Sequence, residues 1–124
     1  MAKHETLENG TLVSLTPHEV KERFDSNQIV IVDVRTPVEY AFEFIPGAML
    51  FPLSSLNPAK LPVQNGKPIV FHCGTGMRST AAAKRCIAAG ITEVLHIEGG
   101  LGAWKKAGLA FATIDPPGER QASA

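Results

Sequence analysis

Two short apolar runs that do not alternate with polar residues constrain the fold of this chain more than any other feature of the sequence. They read Ile29-Val30-Ile31-Val32 and Ile69-Val70-Phe71-His72. The first is a continuous β-branched run, and runs of this kind and length are typical of strands buried on both faces, as in a parallel sheet. The second predicts the next buried strand. Residues 93–97 predict a further strand, and residues 48–51 predict a shorter one.

Two copies of one helix-start pattern lie between these strands. Thr16-Pro17 with Glu19 combines an N-cap, a proline at the first helical position and a capping box, and predicts a helix that ends at residues 25–27. The same pattern in Thr36-Pro37-Val38-Glu39 predicts a short helix through Tyr40.

Two more helices complete an alternating order of strands and helices. One is predicted over residues 79–89, closed by Gly90, and the other follows Gly99-Gly100 and is closed by Gly108. Strands that alternate with helices imply right-handed crossovers and an α/β fold whose parallel sheet is covered on both faces. The sequence therefore predicts one domain over residues 14–113. Flexible segments are expected at residues 1–13 and 114–124, and residues 54–68 are predicted to be a connection with about one helical turn.

Charge and composition exclude several classes of protein. The 12 basic and 12 acidic residues balance and form no basic stripe, so nucleic acid is not an expected partner. No apolar run approaches the roughly 18 residues that a membrane span needs, and the polar start lacks a signal core, so a cytoplasmic protein is predicted. The Cys and His residues do not cluster, so neither a zinc site nor a cofactor is expected.

The loop after the second apolar run holds the strongest candidate for chemistry. It reads Cys73-Gly74-Thr75-Gly76-Met77-Arg78 and leads into a predicted helix. In open α/β sheets, ligands bind beyond the carboxyl ends of the strands. A cysteine reacts as its thiolate, which the helix N-terminus, backbone amides turned inward by Gly74 and Gly76, and the Arg78 cation would all favour. The loop predicts a reactive Cys73; the alternative is an inert cysteine that packs as a small hydrophobe.

Asp33 and Arg35 follow another predicted strand and are candidates for supporting this loop. Asp33 could accept hydrogen bonds from the cysteine loop or serve as a structural carboxylate. Arg35 could orient a substrate, or pair with Asp33 or Glu98 to hold the loops together.

Three other titratable residues are interpreted as structural. His72 precedes Cys73, and adjacent residues of a strand point to opposite faces. His96 is interpreted as a packed or edge residue, and Cys86 as a core residue of its helix and not as a resolving thiol.

Four segments, in this order, resemble the signatures of the rhodanese-like sulfurtransferase family. They are residues 33–40, 45–48, 73–78 and 98–104, and together they extend over about residues 14–110. The resemblance implies an open, mostly parallel sheet of about five strands with helices on both faces. It also implies that Cys73 takes the outer sulfur of a donor such as thiosulfate as a persulfide and passes it to cyanide or a thiol. The loop amides would stabilise the persulfide and Arg78 would bind the anionic donor; a protein could serve as donor or acceptor.

The sequence also leaves other functions open for this loop. Cys73 and Arg78 are separated by four residues, whereas phosphatases of the same fold have a loop longer by one, so sulfur transfer is favoured over a phosphatase or arsenate reductase. A sulfur carrier or regulatory binding module with little turnover is the other alternative. Two features depart from the family pattern: Glu43-Phe44 replaces a common Gly-His, and Gly74 replaces a common basic residue, which makes the rim of the loop less cationic.

Overall fold

The computed structural model describes residues 2–61 and 66–114. Its strands and helices, in chain order, are β1 (Lys3–Leu7), β2 (Gly10–Leu15), α1 (Pro17–Asp25), β3 (Val30–Asp33), α2 (Pro37–Phe42), β4 (Glu43–Phe44), β5 (Met49–Leu50), β6 (Ile69–His72), α3 (Met77–Ala88), β7 (Glu93–Ile97), α4 (Gly100–Lys106) and β8 (Ala112–Thr113).

The central sheet has six strands in the order β1-β2-β7-β6-β3-β5. All neighbouring pairs are parallel except β1 with β2, so the predicted parallel α/β fold is confirmed, with one strand more than expected. Strands β4 and β8 form a separate antiparallel pair.

The predicted flexible segment over residues 1–13 is wrong for the strands β1 and β2. These strands form a hairpin, with Leu7 opposite Gly10 and Asn9 at a φ of 70° in the turn. Strand β2 also pairs in parallel with β7, which buries Leu12 and Val13. Strand β1 is polar because it is an edge strand held by main-chain hydrogen bonds, and such strands need no apolar pattern.

Both predicted capping boxes are confirmed. The Thr16 hydroxyl accepts from the Glu19 amide at 3.2 Å, and the Glu19 carboxylate accepts from the Thr16 amide at 2.9 Å. The equivalent distances for Thr36 and Glu39 are 3.2 and 3.0 Å. Helix α2 continues two residues beyond the predicted Tyr40, and α3 begins two residues before residue 79.

The segments between and after these elements match the predictions in part. The predicted connection contains two short 3₁₀ turns, Leu53–Ser55 and Pro58–Lys60, and its residues 62–65 lie outside the described residues. Of the predicted C-terminal tail only Ile114 is described, and its amide donates to the carbonyl of Phe42 at 3.0 Å. None of the helices within residues 2–61 and 66–114 is both long and apolar enough to span a membrane.

The sheet is buried on both faces, as the continuous apolar runs predict. Helix α3 covers one face, where Cys86 and Ala82 pack against residues such as Val32 and Phe71. Helices α1 and α4 cover the other face, which includes Trp104. Cys86 is fully buried and is a free thiol, in agreement with its interpretation as a core residue.

Candidate active site

The cysteine loop opens at the carboxyl end of the central strands. Strand β6 ends at His72 between β3 and β7, and Cys73 follows directly. Gly76 has a φ of +110°, a left-handed conformation that favours glycine and lets the chain turn into α3 at Met77. The loop therefore lies where ligands bind in open α/β sheets.

Backbone amides of the loop and of the first turn of α3 point at the sulfur of Cys73. The Sγ atom lies 3.0 Å from the Gly76 nitrogen and 3.4 Å from the Ser79 nitrogen. Burial opposes ionisation of Cys73, which is 1% exposed, but the amides of Ser79, Gly76 and Thr75 outweigh it and lower its pKa. Amide dipoles fixed around a sulfur favour the thiolate, which is the nucleophilic form.

Arg78 does not present an unpaired cation at the rim of the loop. Its guanidinium forms a bidentate ion pair with Glu39, with Nη1–Oε1 and Nη2–Oε2 distances of 2.6 and 2.9 Å. The pair lowers the pKa of Glu39 to about 2, and the Thr36 cap adds to this shift. The same pair raises the pKa of Arg78. Glu39 thus joins α2 to the loop, a contact that the sequence analysis did not identify although residue 39 lies in the first motif.

Asp33 and Arg35 form a buried ion pair beside the loop and do not contact the sulfur. Arg35 Nη2 lies 2.7 Å from Asp33 Oδ2 and 2.7 Å from the carbonyl oxygen of Glu43. His72 lies between this pair and the loop: its Nδ1 is 3.3 Å from the Cys73 carbonyl, whereas its Nε2 is 3.3 Å from Asp33 Oδ2 without the geometry of a hydrogen bond. Burial raises the pKa of Asp33, but His72 and Arg35 outweigh it and lower the pKa to about 2.

Helix α4 supports the cysteine loop from the outside. The amides of Leu101 and Gly102 donate to the carbonyls of Cys73 and Gly74 at 2.7 and 3.0 Å. Gly100 has a φ of +60°, and a Cβ atom there would collide with the Cys73 carbonyl and lie 2.8 Å from the Gly74 carbonyl carbon. Gly100, the first residue of α4, therefore lets the N-terminus of the helix approach the loop backbone.

Replacing Gly100 by alanine should destabilise the protein and disturb the loop. The positive φ is expected to cost about 1 kcal/mol, and the collision about 1–3 kcal/mol more, measured by urea unfolding. Gly108→Ala is a matched control, because its φ is +78° but nothing lies within 4 Å of an added Cβ. Equal losses in the two variants would show that close approach to the loop is not what position 100 requires.

A chain of polar side chains leads away from Cys73 on the α3 face of the sheet. Ser79 Oγ lies 3.8 Å from Cys73 Sγ and 2.8 Å from His96 Nδ1. His96 Nε2 lies 2.7 Å from Ser14 Oγ, and the His96 side chain is buried. The sequence predicts only a packed or edge position for His96, and no motif assigns a role to Ser79. Strand alternation could have assigned His96 to the α3 face, because Val94 lies on that face two residues earlier.

Two other residues of the loop, Thr75 and Met77, have exposed side chains. Met77 is 80% exposed. Glu98, considered as a partner of Arg35, instead pairs with Lys3 at 3.1 Å. The loop of residues 73–78 thus has its amides directed at the sulfur and the Met77 side chain directed outward.

Comparison with known proteins identifies the same family over most of the chain. The sequence profile of the rhodanese-like domain matches residues 16–107. An uncharacterised protein of Synechocystis is 40% identical over 99 residues, which cover 80% of this chain and 55% of that protein. This chain therefore spans little more than half the length of that relative. A sulfurtransferase of Allochromatium vinosum is 32% identical over 85 residues, covering 68% of this chain and 79% of that protein.

A solved structure gives the same result for the fold. The rhodanese-like domain of the Alr3790 protein from Anabaena superposes with a TM-score of 0.71 and 26% identity, covering 90% of this chain and 86% of that domain. The resemblance that the four motifs indicate is confirmed by these matches. The cysteine loop at the sheet edge, the sequence profile and the shared fold show that this chain belongs to the rhodanese-like domain family, which includes sulfurtransferases.

Proposed function

We propose that this protein is a sulfurtransferase that carries a sulfane sulfur on Cys73 as a persulfide, between a donor such as thiosulfate and an acceptor such as cyanide or a thiol. The observation that supports this most directly is the pair of amide hydrogen bonds to Cys73 Sγ from Gly76 and Ser79. They stabilise a thiolate before any donor binds, without a metal or a general base.

The first step is a displacement at sulfur. The Cys73 thiolate attacks the outer sulfur of thiosulfate, a new S–S bond forms, and the old S–S bond breaks with its electron pair on the departing sulfite. Charge balances, since a thiolate and a dianion become a persulfide anion and a sulfite dianion. The loop amides stabilise the negative charge on the bound sulfur, much as an oxyanion hole stabilises an oxyanion.

The second step returns the enzyme to its starting state. Cyanide attacks the outer sulfur of the Cys73 persulfide, and the persulfide bond breaks with its electron pair on Cys73. The products are thiocyanate and the Cys73 thiolate. An acceptor thiolate reacts in the same way and leaves as a persulfide, so a small thiol or a protein cysteine is also proposed as an acceptor.

Phosphoryl transfer is a weaker candidate for this loop. The four residues between Cys73 and Arg78 make a small ring, and the Arg78 guanidinium is already bound by the Glu39 carboxylate, so it is less available to phosphate oxygens. The proposal is therefore restricted to sulfur as the transferred group.

The proposal can be tested by following one sulfur atom. The protein is incubated with thiosulfate, freed of small molecules and examined by intact and peptide mass spectrometry, and cyanide is then added. We expect one sulfur atom on the Cys73 peptide, none on the Cys86 peptide, and about one equivalent of thiocyanate on addition of cyanide. A folded protein that gains no sulfur and forms no thiocyanate would exclude thiosulfate as the donor.

A sulfur carrier with slow thiosulfate turnover is a second candidate, and the Arg78–Glu39 pair favours it. Because Glu39 neutralises the rim cation, thiosulfate meets less positive charge than a free arginine would provide. Such a rim suits donors of lower charge, including protein-bound persulfides. Faster loading of Cys73 from the persulfide of a small neutral thiol than from thiosulfate would support the carrier.

Glu39→Gln should strengthen the use of thiosulfate. Removing the carboxylate leaves the Arg78 charge available to the dianion, so the KM for thiosulfate should fall about threefold to fivefold at low salt, with kcat little changed. Added salt should reduce the difference in KM between the variant and the unsubstituted protein, because it screens the attraction between Arg78 and thiosulfate. Glu43→Gln is the control, because Glu43 pairs with Lys105 instead, at 2.7 Å. An unchanged or higher KM in the Glu39 variant would contradict the proposed effect of the pair.

A further inference from the structure

The polar chain Ser79–His96–Ser14 has no role in the two sulfur-transfer steps, although it begins beside the reacting sulfur. Its distances are 3.8 Å from Cys73 Sγ to Ser79 Oγ, 2.8 Å from Ser79 Oγ to His96 Nδ1, and 2.7 Å from His96 Nε2 to Ser14 Oγ. Strand register places Ser14 opposite His96, so β2 and β7 hold the last two groups side by side. Ser79 and His96 are buried, whereas Ser14 is half-buried.

We propose that His96 is a positioning residue for Cys73: by donating from Nδ1 to Ser79 Oγ, it leaves the Ser79 hydroxyl proton available to the Cys73 thiolate. The residue acts through Ser79 and does not itself touch the sulfur or the donor. The inference rests on Cys73 being the reactive thiol of the proposed function.

The proposed role of His96 depends on the single N–H of a neutral imidazole. Burial lowers the pKa of His96, although Glu98 and Glu5 oppose the shift, so the ring is neutral at neutral pH. With the proton on Nε2, His96 donates to Ser14, and the Ser79 hydroxyl must donate to Nδ1. The Ser79 oxygen then faces Cys73 with a lone pair, which accepts from a thiol but repels a thiolate.

The other tautomer reverses every hydrogen bond of the chain. With the proton on Nδ1, His96 donates to Ser79, and the Ser14 hydroxyl donates to Nε2. The proton of Ser79 is then free to face Cys73 Sγ or the Gly76 carbonyl, which lies 3.1 Å away. When the proton faces Sγ, Ser79 donates to the thiolate, and only this tautomer of His96 leaves that proton free. The ionisation state of Cys73 and the tautomer of His96 are therefore coupled.

The coupling also gives the proton of the thiol a route out of the protein. Cys73 gives its proton to Ser79, Ser79 gives its own to His96 Nδ1, Nε2 gives its proton to Ser14, and Ser14 releases one to solvent. One proton leaves and one thiolate forms, while the imidazole stays neutral and changes tautomer. The buried ring therefore never has to become an imidazolium, which its burial disfavours.

The test compares two substitutions that each keep one end of the imidazole. In His96→Asn the side-chain amide occupies the place of Nδ1 and can still donate to Ser79. In His96→Gln the amide occupies the place of Nε2, so the contact with Ser14 is kept and the contact with Ser79 is lost. Thiolate formation is followed by absorbance at 240 nm in a Cys86→Ala background, with the protein lacking both cysteines as the baseline. Thermal unfolding is measured in parallel.

We expect His96→Gln to raise the pH midpoint of Cys73 ionisation by about one unit, the effect of one hydrogen bond to a charged group. His96→Asn should leave the midpoint close to that of the protein with His96. Ser79→Ala should produce a similar rise, and adding His96→Gln to it should change little, because both remove the same interaction. The titration detects the thiolate directly, so a lack of sulfur transfer would overturn the proposed function without affecting this result.

Three outcomes would overturn the inference. They are unchanged midpoints in both His96 variants, equal shifts in the Asn and Gln variants, and fully additive shifts of His96→Gln and Ser79→Ala. Equal shifts accompanied by equal losses in unfolding temperature would assign His96 a packing role only. If His96→Gln does not fold, a midpoint in His96→Asn as high as that in Ser79→Ala would also reject the proposal.

Discussion

Replacing Cys73 by alanine should abolish sulfur transfer, lowering thiocyanate formation from thiosulfate and cyanide by at least about 10³-fold. The reason is chemical, because the proposed persulfide forms on this sulfur, and the other cysteine, Cys86, does not lie among the loop amides that would stabilise it. Steady-state thiocyanate formation is the measurement. The fold should persist, since Cys73 contributes one small side chain to the core.

Cys86→Ala is the matched control for this prediction. Cys86 is as buried as Cys73, but burial raises its pKa, so it is not poised as a nucleophile. The variant should keep its rate within about twofold and lose about 1 kcal/mol of unfolding free energy, the value of one buried group of this size. Residual turnover in the folded Cys73 variant, or loss of turnover in a folded Cys86 variant, would reassign the reactive thiol.

Asp33→Asn should be the most destabilising single substitution near the site, costing about 3–5 kcal/mol of unfolding free energy. The change leaves Arg35 buried, at 4% exposure, without its carboxylate. The carboxylate that lies 3.3 Å from His72 Nε2 is replaced by a neutral amide in the same change. Urea unfolding at neutral pH measures the loss. A cost below about 1 kcal/mol would mean that the pair is effectively solvated.

The same carboxylate predicts how stability depends on pH. The folded pKa of Asp33 is about 2, below its ordinary value of 3.8, so its contribution is fully present above pH 3.8 and is lost as the pH falls towards 2. Over that window the unfolding free energy should fall by about 2 kcal/mol through Asp33 alone, and Asp33→Asn should lack this component. Glu39 titrates in the same range, so the comparison is best made in a Glu39→Gln background. Parallel pH profiles with and without Asp33 would contradict the prediction.

Features of the fold that depend on neighbouring residues could be predicted from the sequence. The capping boxes of Thr16 and Thr36 and the buried strands β3 and β6 are encoded within a few residues, so their positions were predicted to within about two residues. Strand β1 could not be predicted in this way. It is polar, and it exists because β2 is aligned by β7, which lies about 80 residues further along the chain.

In the candidate site, too, the features encoded by neighbouring residues could be predicted, and those that depend on distant residues could not. The position of Cys73 after a buried strand, with glycines and a helix start behind it, is a local signal. The partners of the loop are not local, because Glu39 and Arg78 are 39 residues apart and Ser79 and His96 are 17 residues apart. A cation such as Arg78 has the same sequence signature whether it is free or paired. The packing of α2 beside the loop decides whether Arg78 is paired, and the packing of β7 decides whether Ser79 has a partner.

The support of the cysteine loop by α4 has a consequence for protein synthesis. A nascent chain leaves the ribosome from its N-terminus, so Cys73 emerges well before Leu101 and Gly102, whose amides hold the loop backbone. Until then the hairpin of β1 and β2 also lacks β7, its only link to the rest of the sheet among the described strands. Until α4 is made, the carbonyls of Cys73 and Gly74 lack these two donors, and the loop that carries the amides of Gly76 and Ser79 lacks its outer support. The docking of α4 is therefore the step that fixes the loop around the sulfur.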